Sequence, residues 1–211
     1  MTTAKKMTTT TKAKTTTKKK TTSFVVDNLP RNPLTFEVFD LVSRSRTKAK
    51  KIEVLKKYND PSLRRLFVWN FDESIVSILP DGPVPYVGYD QQNTYSGTLS
   101  TKINHDIRTM YESGNFSLGI SDQQGHTTIR RESKHFYHFV KGGNSGINAI
   151  RRETMFINIL QGLHPLEAEI LTLVKDKQLE TKYKISKDIV SAAYSDIIWG
   201  CLLYTSDAAD E

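Results

Sequence analysis

The stretch that decides the fold spans residues 150–174 and reads IRRETMFINILQGLHPLEAEILTLV. Apolar residues recur at helical intervals on both sides of Leu163-His164-Pro165, which predicts two amphipathic helices joined by a tight corner. Pro165 cannot continue the first helix, but proline suits the first turn of the second. Two apolar stripes joined in this way must pack on each other and on at least one further element. We therefore expect this stretch to build the core of an α-helical protein.

The charged residues of the two predicted helices lie near their starts. Arg151 and Arg152 fall on the polar face of the first helix. Glu167 and Glu169 fall in the first turn of the second helix, where negative charge is favoured by the helix dipole. The apolar stripe of the first helix consists of Ile150, Met155, Phe156, Ile159, Leu160 and Leu163.

Capping signals predict further helices on both sides of this stretch. The predicted starts are Thr35, Thr47, Asp60-Pro61, Thr127 and Ser186. The helix that starts at Thr127 is expected to run to Val140, with Ile129, Phe136 and Phe139 facing inward, and to be closed by Gly142-Gly143. Between these groups, residues 74–79 alternate weakly as a strand would, and residues 100–111 give a marginal helix.

We expect a mostly α fold, with a small helical subdomain, a C-terminal helical core, a disordered basic N-terminal tail and a loose central insertion. The predicted segments are a Thr/Lys tail at 1–22, the subdomain at 23–73, a Pro/Gly/Ser-rich loop and insertion at 74–126, the core at 127–200, and residues 201–211. The last segment, CLLYTSDAADE, resembles a translated sequencing adapter of the kind that enters metagenomic assemblies, and we exclude it from the reasoning on the fold.

Positive charge is concentrated at the N-terminus. The 211 residues carry 30 basic and 23 acidic side chains, a net charge of +7. The tail contains no acidic residue and seven lysines, which are Lys5, Lys6, Lys12, Lys14, Lys18, Lys19 and Lys20. These lysines account for the whole excess. Such a tail suits an electrostatic arm that binds DNA or RNA, and it equally suits a solvated extension, so both interpretations stay open.

Two arginine pairs are the candidates for an anion-binding surface on the folded part. Arg130-Arg131 and Arg151-Arg152 each lie near a predicted helix start, where backbone N–H groups also favour anions. The alternative is that they pair with Glu132 and Glu153 beside them. The basic residues between 48 and 65 are interpreted as an ordinary solvated helix face.

The sequence predicts no catalytic residue, no cofactor site and no metal site. His135 and His138 have the i, i+3 spacing of metal ligands on a helix, but a third ligand at useful spacing is missing. There is no phosphate-binding glycine motif, and Cys201 alone cannot form an internal disulfide. The apolar runs are too short for a membrane span, and the N-terminus lacks the apolar core of a signal peptide. We therefore expect a protein that is not an enzyme and does not enter a membrane.

Several blocks of the sequence resemble an uncharacterised family of T-even-like tailed phages, chiefly cyanophages. The blocks are Leu34-Thr35-Phe36-Glu37-Val38, Val54-Leu55-Lys56-Lys57, Leu79-Pro80 to Pro85-Tyr86, Phe139-Val140-Lys141-Gly142, Arg151-Arg152-Glu153-x-Met155-Phe156-Ile157, Leu163-His164-Pro165, Ala168-x-x-Leu171 and Lys175-Asp176-Lys177. The resemblance covers most of 34–90 and 127–197, while the tail and residues 91–126 look longer than the family pattern. It implies a phage origin and, because the family is a domain of unknown function, no activity and no functional residues.

The leading hypothesis is a non-enzymatic phage accessory protein that acts in the cytoplasm of the infected host cell. It would bind DNA or RNA through the seven tail lysines and the two arginine pairs. The alternative is a virion or assembly component in which helical faces and the Pro/Tyr loop at 80–93 bind other phage proteins. The oligomeric state is open.

Overall fold

The computed structural model describes residues 29–84, 98–114 and 126–200. The expected mostly helical fold is confirmed for this part of the chain. The α-helices are α1 Thr35–Arg44, α2 Lys48–Lys57, α3 Pro61–Phe71, α4 Leu99–Ser113, α5 Ile129–Glu132, α6 Ala149–Gly162, α7 Pro165–Lys175, α8 Leu179–Tyr183 and α9 Lys187–Ala193. A 3-10 helix, Ser133–Phe139, follows α5 directly. The basic tail and residues 201–211 lie outside the described residues.

The corner between α6 and α7 forms as predicted. Leu163 is the C-cap of α6, His164 is the N-cap of α7, and Pro165 is the first residue of α7. The Nδ1 atom of His164 accepts a hydrogen bond of 3.2 Å from the backbone N–H of Leu166. The histidine side chain therefore acts as the N-cap acceptor, a role that serine, threonine, aspartate or asparagine has at most helix starts.

The register of α6 differs from the prediction in its first turn. Ile150, which was placed in the apolar stripe, is 78% exposed, whereas Arg152, which was placed on the polar face, is buried. The rest of the predicted stripe packs inward, with Phe156, Ile159 and Leu160 buried. Helical spacing explains this result, because Arg152 lies four residues before Phe156 and seven before Ile159, whereas Ile150 lies six and nine residues before them.

The N-terminal helices start at two of the three predicted caps. Thr47 accepts a hydrogen bond from the N–H of Lys50 at the start of α2, and Asp60 accepts one from Ser62 at the start of α3. Thr35 is not a cap, because Leu34 is the N-cap of α1 and Thr35 is its first, buried residue. The reason lies elsewhere in the chain, because the carboxylate of Glu167 accepts the hydrogen bond from the N–H of Thr35.

Two segments between these regions differ from the prediction. The marginal helix expected at 100–111 is α4, a 15-residue helix that packs along α7 through buried Leu99, Ile103 and Met110. Instead of one helix over 127–140, the chain forms the short α5, the 3-10 helix and then an antiparallel bridge between Ser77 and Val140.

Gly143 closes the segment that ends with the bridge because the chain turns tightly there. A Cβ atom at this position would lie only 1.9 Å from the carbonyl oxygen of Tyr137, a distance that no side chain tolerates. The prediction that Gly142-Gly143 ends the segment therefore has a steric explanation at Gly143, where a side chain would clash with the backbone of Tyr137.

One hydrophobic core joins helices from both ends of the described chain. Phe39 of α1 stacks on Phe67 of α3 at 5.5 Å between ring centroids, and Trp69 of α3 lies 6.0 Å from Phe139 of the 3-10 helix. Phe139 in turn meets Phe156 of α6 edge to face. The boundaries drawn at 73 and 127 remain predictions from composition.

A buried carboxylate joins α7 to two other helices. Glu167, which is 1% exposed, accepts hydrogen bonds from the N–H of Thr35 at 2.9 Å and from the N–H of Ile129 at 3.0 Å. These donors belong to the first residues of α1 and α5, so one side chain satisfies two helix starts. Burial raises the pKa of the Glu167 carboxyl, and its two backbone donors act in the opposite direction. None of the described helices is long and apolar enough to cross a membrane.

Candidate nucleic-acid interface

Arg152 is a structural residue, and its interpretation as part of an anion-binding surface is corrected by its burial. Its Nε atom donates a hydrogen bond of 2.7 Å to the carbonyl oxygen of His138, and its Nη2 atom donates to the carbonyls of Asn144 at 3.2 Å and Ile147 at 2.9 Å. The guanidinium therefore ties the start of α6 to the loop before it. Sequence reasoning missed this role because its partners are backbone atoms, which leave no pattern in the sequence.

Arg151, the neighbour of Arg152, is exposed. It lines an open groove of about 480 Å³ between the 3-10 helix and α6, together with His135, Glu132 and Met155. The groove combines a cation and a carboxylate over an apolar floor, so it has no single electrostatic preference. It does not form a dedicated anion site.

In the other arginine pair both residues are exposed, but only Arg131 has no ionic partner among the described residues. The Nε atom of Arg130 lies 2.7 Å from the carboxylate of Asp60, the residue that caps α3, and its Nη2 atom donates to the carbonyl oxygen of Pro33 at 3.4 Å. Arg131 is exposed. The expected pairing with the adjacent Glu132 is not what holds Arg130, whose partner lies 70 positions earlier in the chain.

His135 and His138 do not form a metal site with other described residues. Their rings stack with centroids 5.9 Å apart, and the Nδ1 atom of His138 lies 3.0 Å from the side-chain nitrogen of Asn144. Burial lowers the pKa of His138, and the nearby His135 and Arg152 lower it further. Within the described ranges, no group of three or more His, Cys, Asp or Glu residues is arranged to hold a metal ion.

A basic exposed surface of the described residues lies on and directly before α2. We define the α2 basic face as Arg46, Lys48, Lys50, Lys56 and Lys57, all of which are exposed. No carboxylate of the described residues forms an ion pair with them, and the ammonium of Lys57 lies over the ring of Tyr58, 5.1 Å from its centroid. Glu53 is the acidic residue within the same helix.

The helix under this face is fixed to the core. Val54 and Leu55 are buried, and the carbonyl oxygen of Leu55 accepts a hydrogen bond of 2.9 Å from the buried hydroxyl of Tyr194. Lys51 donates to the carbonyl oxygen of Lys184 at 2.6 Å, which brings the loop between α8 and α9 beside α2. The backbone of the exposed Lys184 therefore lies on the same flank of the molecule as α2, whereas the ammonium of Lys187 lies over the ring of Trp199, 5.0 Å from its centroid. Sequence reasoning treated α2 as an ordinary solvated face because a run of charges does not show what lies beside it.

The seven tail lysines, from Lys5 to Lys20, lie outside the described residues. Their interpretation as a nucleic-acid arm stays a prediction from the sequence.

Comparison with known proteins identifies a family for this chain. A family model described as a family of unknown function (DUF6433) matches residues 38–123 and 120–181. The chain belongs to this family. The matched residues include 91–126, which the sequence resemblance had set aside as longer than the family pattern. No curated protein and no solved structure matches the chain.

Proposed function

We propose that this member of the family is a non-enzymatic accessory protein of a tailed phage, which binds nucleic acid in the cytoplasm of the infected host through its lysine tail. The observation that carries the proposal is the separation of charge along the chain. Seven lysines and no acidic residue fall within residues 1–22, whereas the remaining 23 basic residues face 23 acidic ones, of which three lie in residues 201–211. An arm of this kind attracts polyanions without adding a charge imbalance to the folded part.

The expected mechanism is release of counterions from the phosphate backbone. Each phosphate that a lysine neutralises frees condensed cations, so binding weakens steeply as salt rises, with a slope of about 0.9 per contact for duplex DNA. No aromatic residue lies among the tail lysines, so the arm offers no ring for stacking on bases. We therefore expect binding that depends on charge and not on sequence.

The phage origin rests on the resemblance of the blocks around Phe139–Ile157 and Leu163–Lys177 to cyanophage sequences. A protein that is made during infection and carries a polybasic arm would meet replicating and transcribed phage DNA in the host cytoplasm. This setting motivates the choice of DNA as the first probe.

The test is fluorescence anisotropy of a labelled 30-base-pair duplex across a salt series. The full chain is compared with a variant in which the seven tail lysines are replaced by threonine, so that chain length and the Thr-rich character are kept. We expect the variant to lose at least ten-fold in affinity at low salt and to give a shallower salt slope. Equal affinities and slopes for both proteins would rule out the tail as the binding element.

The alternative function is a component of the virion or of its assembly. It is favoured by exposed apolar side chains on the folded part, where Ile150 is 78%, Ile198 67% and Val76 49% exposed. Such side chains suit contacts with other phage proteins. Mass spectrometry of purified particles of a related phage decides this alternative, because an accessory protein of the infected cell would be absent from them.

A further inference from the structure

We infer that the α2 basic face is a second binding surface, which contacts the phosphate backbone of double-stranded nucleic acid. The inference rests on the proposed function and adds to it a site on the folded part of the chain. It replaces the arginine pairs, of which Arg152 is buried and Arg130 is held by Asp60.

The first argument is the absence of neutralising partners. Ion pairs of the described residues hold Arg44, Arg64, Arg108, Arg130, Lys175 and Lys182, but none involves the α2 basic face. Five cations on one short segment repel one another, and an ordinary solvated helix reduces this cost by interspersed acidic residues. Here only Glu53 interrupts them. A surface with this uncompensated charge lowers its free energy when it meets an anion of matching extent.

The second argument is rigidity. The hydrogen bonds from Tyr194 to Leu55 and from Lys51 to Lys184 hold α2 in place at two points. Lys48 and Lys56 are therefore fixed about 12 Å apart along the helix axis, at 1.5 Å per residue. A B-form duplex presents about seven phosphate charges over that length, in an array that is itself stiff. Two rigid charge arrays can match without loss of conformational entropy in the backbone of either partner.

The third argument concerns the kind of contact. The exposed side of α2 carries lysines, Ala49 and Glu53, and its aromatic neighbour Tyr58 is partly buried against the core and lies beneath the ammonium of Lys57. Without an exposed ring there is no platform for unstacked bases, which single-strand binding requires. Lysine acts as a point charge toward phosphate and reads no base pattern here. The surface therefore suits a duplex of any sequence.

The position of Glu53 gives a variant that strengthens binding. Glu53 lies three residues after Lys50 and four before Lys57, so its carboxylate is on the same exposed side and repels phosphate. Replacement by glutamine removes this repulsion and keeps the size of the side chain. Loss of folding cannot imitate the expected result, since an unfolded variant does not bind more tightly through this face.

The test compares variants of the full chain by anisotropy on a duplex and on a single strand of the same length. One variant carries Lys48→Gln, Lys50→Gln and Lys56→Gln, and the control carries Arg31→Gln, Lys134→Gln and Lys141→Gln, which remove the same charge from exposed sites elsewhere. We expect the salt slope on duplex to fall by about 3 in the first variant, about 1 per phosphate contact, and by less than about 0.5 in the control. Glu53→Gln should raise duplex affinity about two-fold. Circular dichroism melting verifies that all variants fold.

Equal slopes for the triple variant and its charge-matched control would overturn the inference, as would an unchanged affinity for Glu53→Gln. A loss confined to the single strand would also contradict it, because it would assign the face to a different partner. The same measurements in the tail variant keep the two proposals apart. If the tail variant weakens duplex binding and the α2 variant does not, only this inference fails. If only the α2 variant weakens binding, the proposal that the tail binds nucleic acid fails instead.

Discussion

The outer face of α2 and the joint between α6 and α7 both carry charged residues, but the charges have opposite surroundings. Glu167, beside the joint, is 1% exposed, and Arg152, at the other end of α6, is 9% exposed. Both carboxylate oxygens of Glu167 accept hydrogen bonds from backbone N–H groups, and the Nε and Nη2 atoms of Arg152 donate to backbone carbonyls. On α2, Lys48, Lys50 and Lys56 extend into solvent without an ionic partner among the described residues. The difference indicates that the charges of the joint maintain the fold, while those of α2 are available to another molecule.

Loss of Glu167 should give the largest effect. In Glu167→Ala the backbone N–H groups of Thr35 and Ile129 lose their acceptor inside the core, at a cost of 1–3 kcal/mol for each unsatisfied group, so we expect a loss of about 4 kcal/mol in the free energy of unfolding. Glu169→Ala is the matched control, because that carboxylate lies in the same helix and is paired with an exposed lysine, Lys182. Its loss should cost less than about 1 kcal/mol. Urea denaturation measures the stability of both variants. Equal denaturation midpoints for Glu167→Ala and Glu169→Ala would show that the buried carboxylate contributes no more to stability than the exposed ion pair.

Acid should destabilise the joint through His164. Burial lowers the pKa of this histidine to about 4 from its ordinary value of 6.5. Between these values the unfolded chain binds the proton and the native protein does not, so stability is complete above pH 6.5 and falls as the pH drops toward 4, by roughly 3 kcal/mol in all.

The control for the acid effect is His164→Asn, which keeps a capping side chain but cannot titrate. The free energy of unfolding, measured at intervals from pH 7 to pH 4, should depend less on pH in this variant than in the natural sequence. The same dependence in both proteins would show that the ring is not the titrating group. Glu167, whose pKa burial raises, acts in the opposite sense and is common to both proteins.

The adjacent arginines give the smallest and sharpest contrast. Arg152→Met should lower the free energy of unfolding by about 2 kcal/mol, because the carbonyl of His138 is left buried without its donor. Arg151→Met, one position away, should change it by less than about 0.5 kcal/mol, as exposed substitutions do. Thermal melting of the two variants side by side is sufficient. If Arg151→Met were the more damaging, the assignment of the two faces of α6 would be wrong.

The parts of the fold that were predictable are those with local causes. Pro165 marks the corner between α6 and α7, and Thr47 and Asp60-Pro61 mark the starts of α2 and α3, because each acts on residues within one helical turn. One missed feature depends on a distant partner. Thr35 looked like a cap, but the carboxylate of Glu167, 132 residues later, accepts the hydrogen bond of its N–H. The error at Ile150 has a local cause, since its spacing from Phe156 and Ile159 places it outside the inward stripe, and it is exposed.

The candidate surface shows the same limit. The lysines of α2 were visible in the sequence, but the loop at Lys184 lies beside them only because Lys51 is hydrogen-bonded to its backbone. A charge run in a sequence does not show whether acidic side chains of other helices neutralise it, and that decides whether the run is a solvated face or a binding surface. Only the arrangement of helices answers this question.

The hydrogen bond between Thr35 and Glu167 also sets an order of events during synthesis. Glu167 follows Thr35 by 132 residues, so at translation rates of about 5–20 residues per second it leaves the ribosome roughly 7–26 s later. Throughout this interval the N–H of Thr35 lacks its carboxylate acceptor, and α1 lacks one of the helices against which it packs. Part of the apolar side of α1 therefore stays uncovered on the nascent chain until α7 emerges.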